Sequence, residues 1–299
     1  MATLTVLAEN TARGAGVLGE HGLAYWIDTG SSRVLFDTGQ GMALLHNAAR
    51  LGVDLAKASA IVLSHGHFDH VGGLETALAA APQATLHLHP CATQRKFSGA
   101  DPAGARCISI PFVEHETFRS QSRCVVASRE AREIVPGVWI TGEIPRETDF
   151  EDTGGPFFLD EALSRPDPLL DDQALYLPTP QGTIIVLGCA HSGVVNTLRH
   201  IQRLTNDAPV YALIGGLHLE RAGPHRLDET VRALRICRPQ KMGFCHCTGF
   251  HAIRRLWDEF PEACLQIHAG SRLEFQNLPE ETEQLPAMSS PILPHQCQH

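Results

Sequence analysis

Apolar residues fall in short runs along this chain, and the spacing within the runs changes from one part to the next. Residues 4–10 (LTVLAEN) and 60–64 (AIVLS) are compact apolar runs that predict buried strands. Residues 22–39 hold two apolar segments around Thr29-Gly30-Ser31, the pattern of a hairpin. Residues 41–52 place Leu44, Leu45 and Ala48 at helical spacing and stop at Gly52. Residues 74–81 predict a helix closed by Pro82, and 85–90 a further strand.

Past residue 173 the pattern alternates regularly. Residues 174–188 predict a hairpin turning at 179–182. A helix follows, with Ser192 as its N-cap and Val194, Leu198 and Ile201 on one face. Strands at 210–216 and 241–246 alternate with helices at 227–238 and 251–260. The earlier helix carries Leu227, Val231 and Leu234 on one face, with acids in its first turn and arginines in its last. The later one spaces Ile253, Leu256, Trp257 and Phe260 at i, i+3, i+4 and i+7. Residues 264–275 close the ordered part. Strands with turns in the first half and strand–helix alternation in the second predict an α/β (α+β) architecture of two packed sheets with helices outside.

Residues 91–172 are less regular. They hold a strand and turn at 135–145 and a Gly-, Pro- and Asp-rich segment at 152–173, which reads as a long loop over the site. Residues 278–299 are polar and Pro-rich and predict a flexible tail behind one domain of residues 1–277.

Composition narrows the function. The net charge is −9 and no basic block stands out, which argues against nucleic acid as a partner. No apolar run approaches the roughly 20 residues that span a bilayer, and the first residues lack the pattern of a secretory leader. Nine scattered cysteines fit a reduced, cytoplasmic setting. These readings leave a small molecule as the expected partner, with the oligomeric state open. The 17 histidines are the unusual figure. His65, His191, His218 and His246 each sit near glycines or loop residues at the end of an apolar run, where a metal site needs imidazoles.

The densest cluster is IVLSHGHFDHVGGL, residues 61–74. His65 and His67, two apart in a tight turn around Gly66, can face one ion. Asp69 and His70 are adjacent, point in different directions and can serve a second. One carboxylate with imidazoles suits zinc first, and also manganese or iron(II).

This H-x-H-x-D-H segment after a short apolar strand resembles the signature of the metallo-β-lactamase superfamily. The segments LAEN, LFDTGQG, TGEIPR, DPLLDDQALYL, GCAHSGVVNTL, IGGLHL and CHCTGF occur in an order similar to one branch of it, the superfamily II metal-dependent hydrolases. That branch includes archaeal dihydropterin-linked ribofuranosylaminobenzene phosphate synthases. The resemblance runs from residue 3 to about residue 275. It implies an αββα sandwich with two divalent ions at one edge, between the sheets. It carries His65, His67, Asp69 and His70 over as ligands, and His246 as the last histidine ligand. The usual G-H-T and G-D-T segments are missing. In place of the second stands LGCAHSG, which puts Cys189 at the bridging-aspartate position and offers His191 as the missing imidazole. Asp37 is implied as an orienting group. Asp171 and Asp172 fall where the third-motif histidine would stand, and Glu20 and His21 lie on a loop near the site.

The expected chemistry is a binuclear metal-dependent hydrolase. A metal-bound hydroxide attacks a small polar ester or phosphoester, Asp69 orients it and His218 is a candidate proton donor. The alternatives are a synthase-type transferase and a non-catalytic metal-dependent sensor. Flavodiiron relatives are set aside, because they carry glutamate where this chain has His67.

Overall fold

Strands buried on both faces read as continuous apolar runs, and those runs form the body of this protein. The computed structural model describes residues 1–102, 104–110 and 124–275; the predicted tail at 278–299 lies outside the described residues. The chain begins with β1 (Ala2–Ala8), β2 (Ala24–Asp28), β3 (Arg33–Phe36), α1 (Leu44–Arg50), β4 (Ala60–Val62), α2 (Phe68–Val71), α3 (Leu74–Ala80) and β5 (Thr85–Leu88). Six short strands follow: β6 (Phe97–Ser98), β7 (Arg106–Cys107), β8 (Val125–Ala127), β9 (Arg132–Val135), β10 (Val138–Ile140) and β11 (Phe157–Phe158). The last part is β12 (Ala174–Thr179), β13 (Gly182–Leu187), α4 (Val194–Leu204), β14 (Val210–Gly215), α5 (Pro224–Cys237), β15 (Lys241–Phe244), α6 (Phe250–Glu259), β16 (Cys264–Gln266) and β17 (Arg272–Phe275).

One sheet has the order β17-β1-β2-β3-β4-β5-β8 and the other β16-β15-β14-β13-β12-β10-β9. Strands β3, β4, β5 and β8 are mutually parallel, as are β13 to β16, and the remaining pairs in both sheets are antiparallel. Residue alternation then sorts the side chains into three cores. Tyr25, Val34, Phe36 and Val62 meet Ile140, Leu177, Ile184 and Ile214 between the sheets. Trp26, Leu35 and Ile61 face outward onto Leu44, Leu74 and Leu78 of the helices. Tyr176, Ile185 and Leu213 face the other way onto Leu198, Leu234 and Leu256. The result is the expected αββα sandwich.

Both predicted hairpins form, closing at Asp28↔Arg33 and Thr179↔Gly182. Two helix starts differ from expectation. Ser192 does not cap α4. Gly193 holds the cap position at φ +97°, and the acceptor comes from the distant Glu151, whose carboxylate takes the Val195 and Asn196 N–H groups. The predicted 227–238 helix begins earlier, at Pro224, a residue suited to the first helical position. Asp228 and Glu229 therefore fall in its second turn. Trp257, expected on the buried face, is 37% exposed at the edge of α6. In the irregular middle, β11, β6 and β7 form a small sheet of their own.

Parallel strands end on the same side, so β4, β13, β14 and β15 deliver their following loops to one edge of the sandwich. That is where the histidines gather. The cores that hold the strands in register carry the stability. Ile214→Ala, which opens a cavity at a fully buried inter-sheet position, is expected to cost about 2–5 kcal/mol. The check is a lowered denaturant midpoint at unchanged m-value.

Candidate metal centre

The turn after β4 supplies His65 and His67, and α2 supplies Asp69 and His70. The turn after β13 supplies Cys189 and His191, the loop after β14 His218, and the end of β15 His246. The structure brings all eight predicted site residues to one place. Asp37, Ala190, His218 and His246 all have positive φ there, backbone strain of the kind that gathers at functional sites. Gly66 is required by close approach: a Cβ on it would stand 2.1 Å from the Ala92 carbonyl oxygen.

The hydrogen bonds fix which ring nitrogens are free. His70 Nδ1 lies 2.7 Å from Asp37 Oδ2. A carboxylate only accepts, so Nδ1 carries a proton, and Nε2 presents a lone pair once His70 gives up its second proton. His246 Nδ1 lies 2.8 Å from Asn10 Oδ1, which also accepts from the Gly22 N–H, with the same consequence. These two Nε2 atoms stand 3.2 Å apart. Asp69 Oδ2 lies 3.3 Å from the His246 Nε2 and 3.8 Å from that of His70. With His70 neutral, three acceptors face one another, an arrangement that a proton or a metal cation between them relieves.

The neighbouring group has the same logic. Ser64 Oγ donates to Asp37 Oδ2 at 2.6 Å and so accepts from His65 Nδ1 at 2.9 Å. His191 Nδ1 donates to the Thr153 carbonyl at 2.8 Å. The Nε2 atoms of His65, His67 and His191 are buried and have no hydrogen-bond partner, although their ring centres lie only 4.5–4.9 Å apart. Cys189 belongs to both groups. Its Sγ lies within 4.8 Å of ring nitrogens of His65 and His191, and equally of His70 and His246. The donor set therefore fits two divalent cations, one among three imidazoles and one among Asp69, His70 and His246, with the thiol between.

Electrostatics separate the two groups. Burial drives His65 and His191 well below the ordinary imidazole value and His67 down to about 3. All three are neutral at pH 7. Burial also opposes charge on His70, but the Asp37 and Asp69 carboxylates prevail and push it up to about 9. Burial alone would raise Asp69, yet His70 and His246 hold its carboxyl well below the usual range.

The orienting layer is largely residues the sequence reading left without a role. Glu9 Oε1 accepts from the His246 N–H. Lys96, fully buried, bridges Asp167 and Asp171 at 2.7 and 2.9 Å, and Asp171 Oδ2 accepts from the Gly66 N–H. Asp172 accepts from the Ser192 N–H, and burial raises its carboxyl to about 6. Asp171 and Asp172 thus hold the two turns that carry His65, His67 and His191. Glu20 is buried and takes the N–H groups of Gln40, Met42 and Ala43, so in the loop expected near the site Glu20 is a structural anchor while His21 reaches the pocket. Nothing in the sequence separates Lys96 from a surface lysine; LAEN, a polar pair after a buried strand, was the available signal for Glu9 and Asn10.

A pocket of about 230 Å3 opens over the centre, with His21, Arg106, Phe157, His218 and Arg221 in its walls. His21 Nε2 is 3.4 Å from Asp69 Oδ2. Phe157, from the predicted 152–173 loop, packs on His67 and His191. His218 lies against His191 with ring centres 4.3 Å apart, and burial lowers its imidazole to about 4.

Residues 18–91 match the family model described as the metallo-beta-lactamase superfamily. The chain is 31% identical over 266 residues to 7,8-dihydropterin-6-methyl-4-(beta-D-ribofuranosyl)-aminobenzene-5′-phosphate synthase of Methanocaldococcus jannaschii, covering 86% of this chain and 90% of that protein. The solved structure of Tm1679, described as a metal-dependent hydrolase of the beta-lactamase superfamily, superposes with a TM-score of 0.77 at 27% identity, over 92% of this chain and 99% of that one. A diphosphatase of the PhnP family shares the fold at a TM-score of 0.54 and 17% identity, over 94% and 100% of the two chains.

Two expectations follow from the geometry. Asp37→Ala removes the acceptor that orients His70 directly and His65 through Ser64, and should weaken zinc binding about 10- to 100-fold in a chelator competition. The second concerns pH. A proton on His70 competes with a cation below pH about 9. Affinity at that group should therefore rise with pH, roughly tenfold per unit, and level off above it. The three-imidazole group should show little dependence above neutrality. Chelator competition between about pH 6.5 and about 9.5 reads both phases, and two pH-independent phases would contradict the assignment.

Proposed function

Because the chain belongs to the metallo-β-lactamase superfamily, in the branch that holds the archaeal dihydropterin-linked synthase, we propose that it is a binuclear metal-dependent hydrolase of a small polar ester or phosphoester. The observation that carries this reading is the pair of lone-pair clusters on the floor of an open pocket. In the proposal His65, His67 and His191 hold one cation, Asp69, His70 and His246 the other, and Cys189 faces both. Zinc is the first choice, since imidazoles with a thiolate suit it better than manganese. Bound there, such a pair supplies an activated water at neutral pH and polarises the oxygen under attack.

The protein's own groups set the rest. Asp69 Oδ2, beside His21 Nε2, is the acceptor that orients the attacking water. His218 is neutral at pH 7 and offers a ring N–H to a substrate oxygen or leaving group at the pocket wall. Phe157 keeps bulk water off His67 and His191. Arg106 and Arg221 place two cations in the pocket wall against the one exposed acid, Glu220, a balance that favours an anionic substrate although the whole chain is acidic.

A synthase-type transfer is the second reading, favoured by the 31% identity that spans most of both chains. The two part on products: hydrolysis consumes water and needs one organic substrate, whereas a synthase joins two.

Elemental analysis should find about two ions per chain in wild type and a clear loss in both His191→Ala and His246→Ala. Zinc-, manganese- and iron-loaded protein is then assayed on phosphodiesters, phosphomonoesters and thioesters. One ion or none in reconstituted wild type would sink the binuclear reading.

A further inference from the structure

A second cavity, of about 360 Å3, adjoins the metal pocket and shares Gly154, Gly155, Pro156, His218 and Arg221 with it. Arg226 lines this second cavity and is only 6% exposed. Its Nη1 pairs with Asp152 Oδ1, but Nε and Nη2 are buried without any hydrogen-bond partner. Those two atoms form one edge of the guanidinium, the fork that takes two oxygens of an oxyanion side by side. Buried donors in folded proteins are nearly always hydrogen-bonded, so this unused fork calls for a partner. Asp152 leaves the fork free: its side chain is 79% exposed and the same oxygen accepts from the Gly154 N–H, while the nearby buried Glu151 spends its carboxylate on the Val195 and Asn196 N–H groups and the Thr148 hydroxyl and makes no hydrogen bond to Arg226.

Two further features point the same way. Arg221 lines both cavities and has no ion pair among the described residues. Gly223, also in the wall, is the N-cap of the 14-residue α5, and no side chain caps that end. The positive end of the helix dipole therefore lies beside the two arginines.

We propose that this cavity is an anion subsite for a phosphate-type group, held by the free fork of Arg226 with help from Arg221. Its place in the reaction rests on the hydrolytic reading above: a substrate would carry the reacting bond over the metal centre and a second, unreacting phosphate past His218. The substrate class narrows to small molecules with a terminal phosphate besides the bond that breaks.

The test is inorganic phosphate binding to the metal-loaded full chain, by equilibrium dialysis. Wild type should show two classes of site, one at the metals and one in the subsite. Arg226→Gln should weaken the second class about tenfold or more, with metal content and Tm unchanged. Both classes surviving intact in a folded Arg226→Gln protein overturn the proposal. If that variant loses its metal or its fold, the exposed Arg221→Gln decides: weaker second-class binding supports the subsite, and unchanged binding overturns it. Methyl phosphate separates the sources. Displacement of phosphate from the second class marks a substrate-borne monoester, and no displacement marks free phosphate; the subsite stands in both cases. Turnover is scored apart. A second phosphate class in a protein that hydrolyses nothing removes the hydrolytic reading alone, and turnover without that class removes the subsite alone.

Discussion

The carboxylate of Asp37 is the constraint on which the centre depends. It is fully buried, in a left-handed backbone conformation, at the end of a strand that lies between two others in the first sheet. Its two oxygens take three donors: the Ser64 N–H, the Ser64 hydroxyl and the His70 Nδ1–H. One bond fixes the tautomer of His70 directly, and another fixes that of His65 through the serine. One buried charge therefore aims a ring of each ligand group. An isolated carboxylate at this depth would be costly, and the three donors and the His70 cation are what make it tolerable.

The turns that carry the candidate ligands are held by charges placed well away from them in sequence. Lys96 links Asp167 and Asp171, and Asp171 reaches the Gly66 N–H between His65 and His67. Glu151 holds the start of the helix after His191, and Glu9 holds the His246 N–H. Removing one partner from a buried set such as Lys96, Asp167 and Asp171 strands the others. These acids add to the net charge of −9 without serving solubility, since they lie inside.

Legibility followed the range of the interaction. His65, His67, Asp69 and His70 were readable because they crowd into six positions after a strand. The strands were readable because burial on both faces writes a local apolar run, as in β4 and β13. Glu151 as the helix anchor and Lys96 as a core cation were not readable. Each acts on a residue more than 40 positions away, and no local pattern marks it. Ser192 was misjudged for the same reason: a favourable local cap lost to a distant carboxylate and a glycine with positive φ. His191 and Cys189 came from resemblance, and the geometry now gives a physical account of both. His191 is the third imidazole of a group whose ring nitrogens lack partners, and the sulfur of Cys189 stands within reach of both groups.

The two ligand groups are unequal in charge, and that inequality organises the pocket. The first is three neutral imidazoles, so a cation there would keep its full charge at the pocket floor. The second includes the Asp69 carboxylate and lies against Asp37, which offsets much of the charge of a cation there. His21 and His218 flank the centre, and the arginines stand farther out. With a cation held in the first group, positive charge would recur from there to Arg221 and Arg226, past the neutral ring of His218. An anion entering from the rim would pass Arg106 and Arg221 as well as the exposed Glu220, and in the second cavity wall the one exposed acid, Asp152, is already engaged by Arg226 and Gly154. With cations bound at the floor, a pocket built this way would favour negative charge in what enters it, although the protein as a whole is acidic.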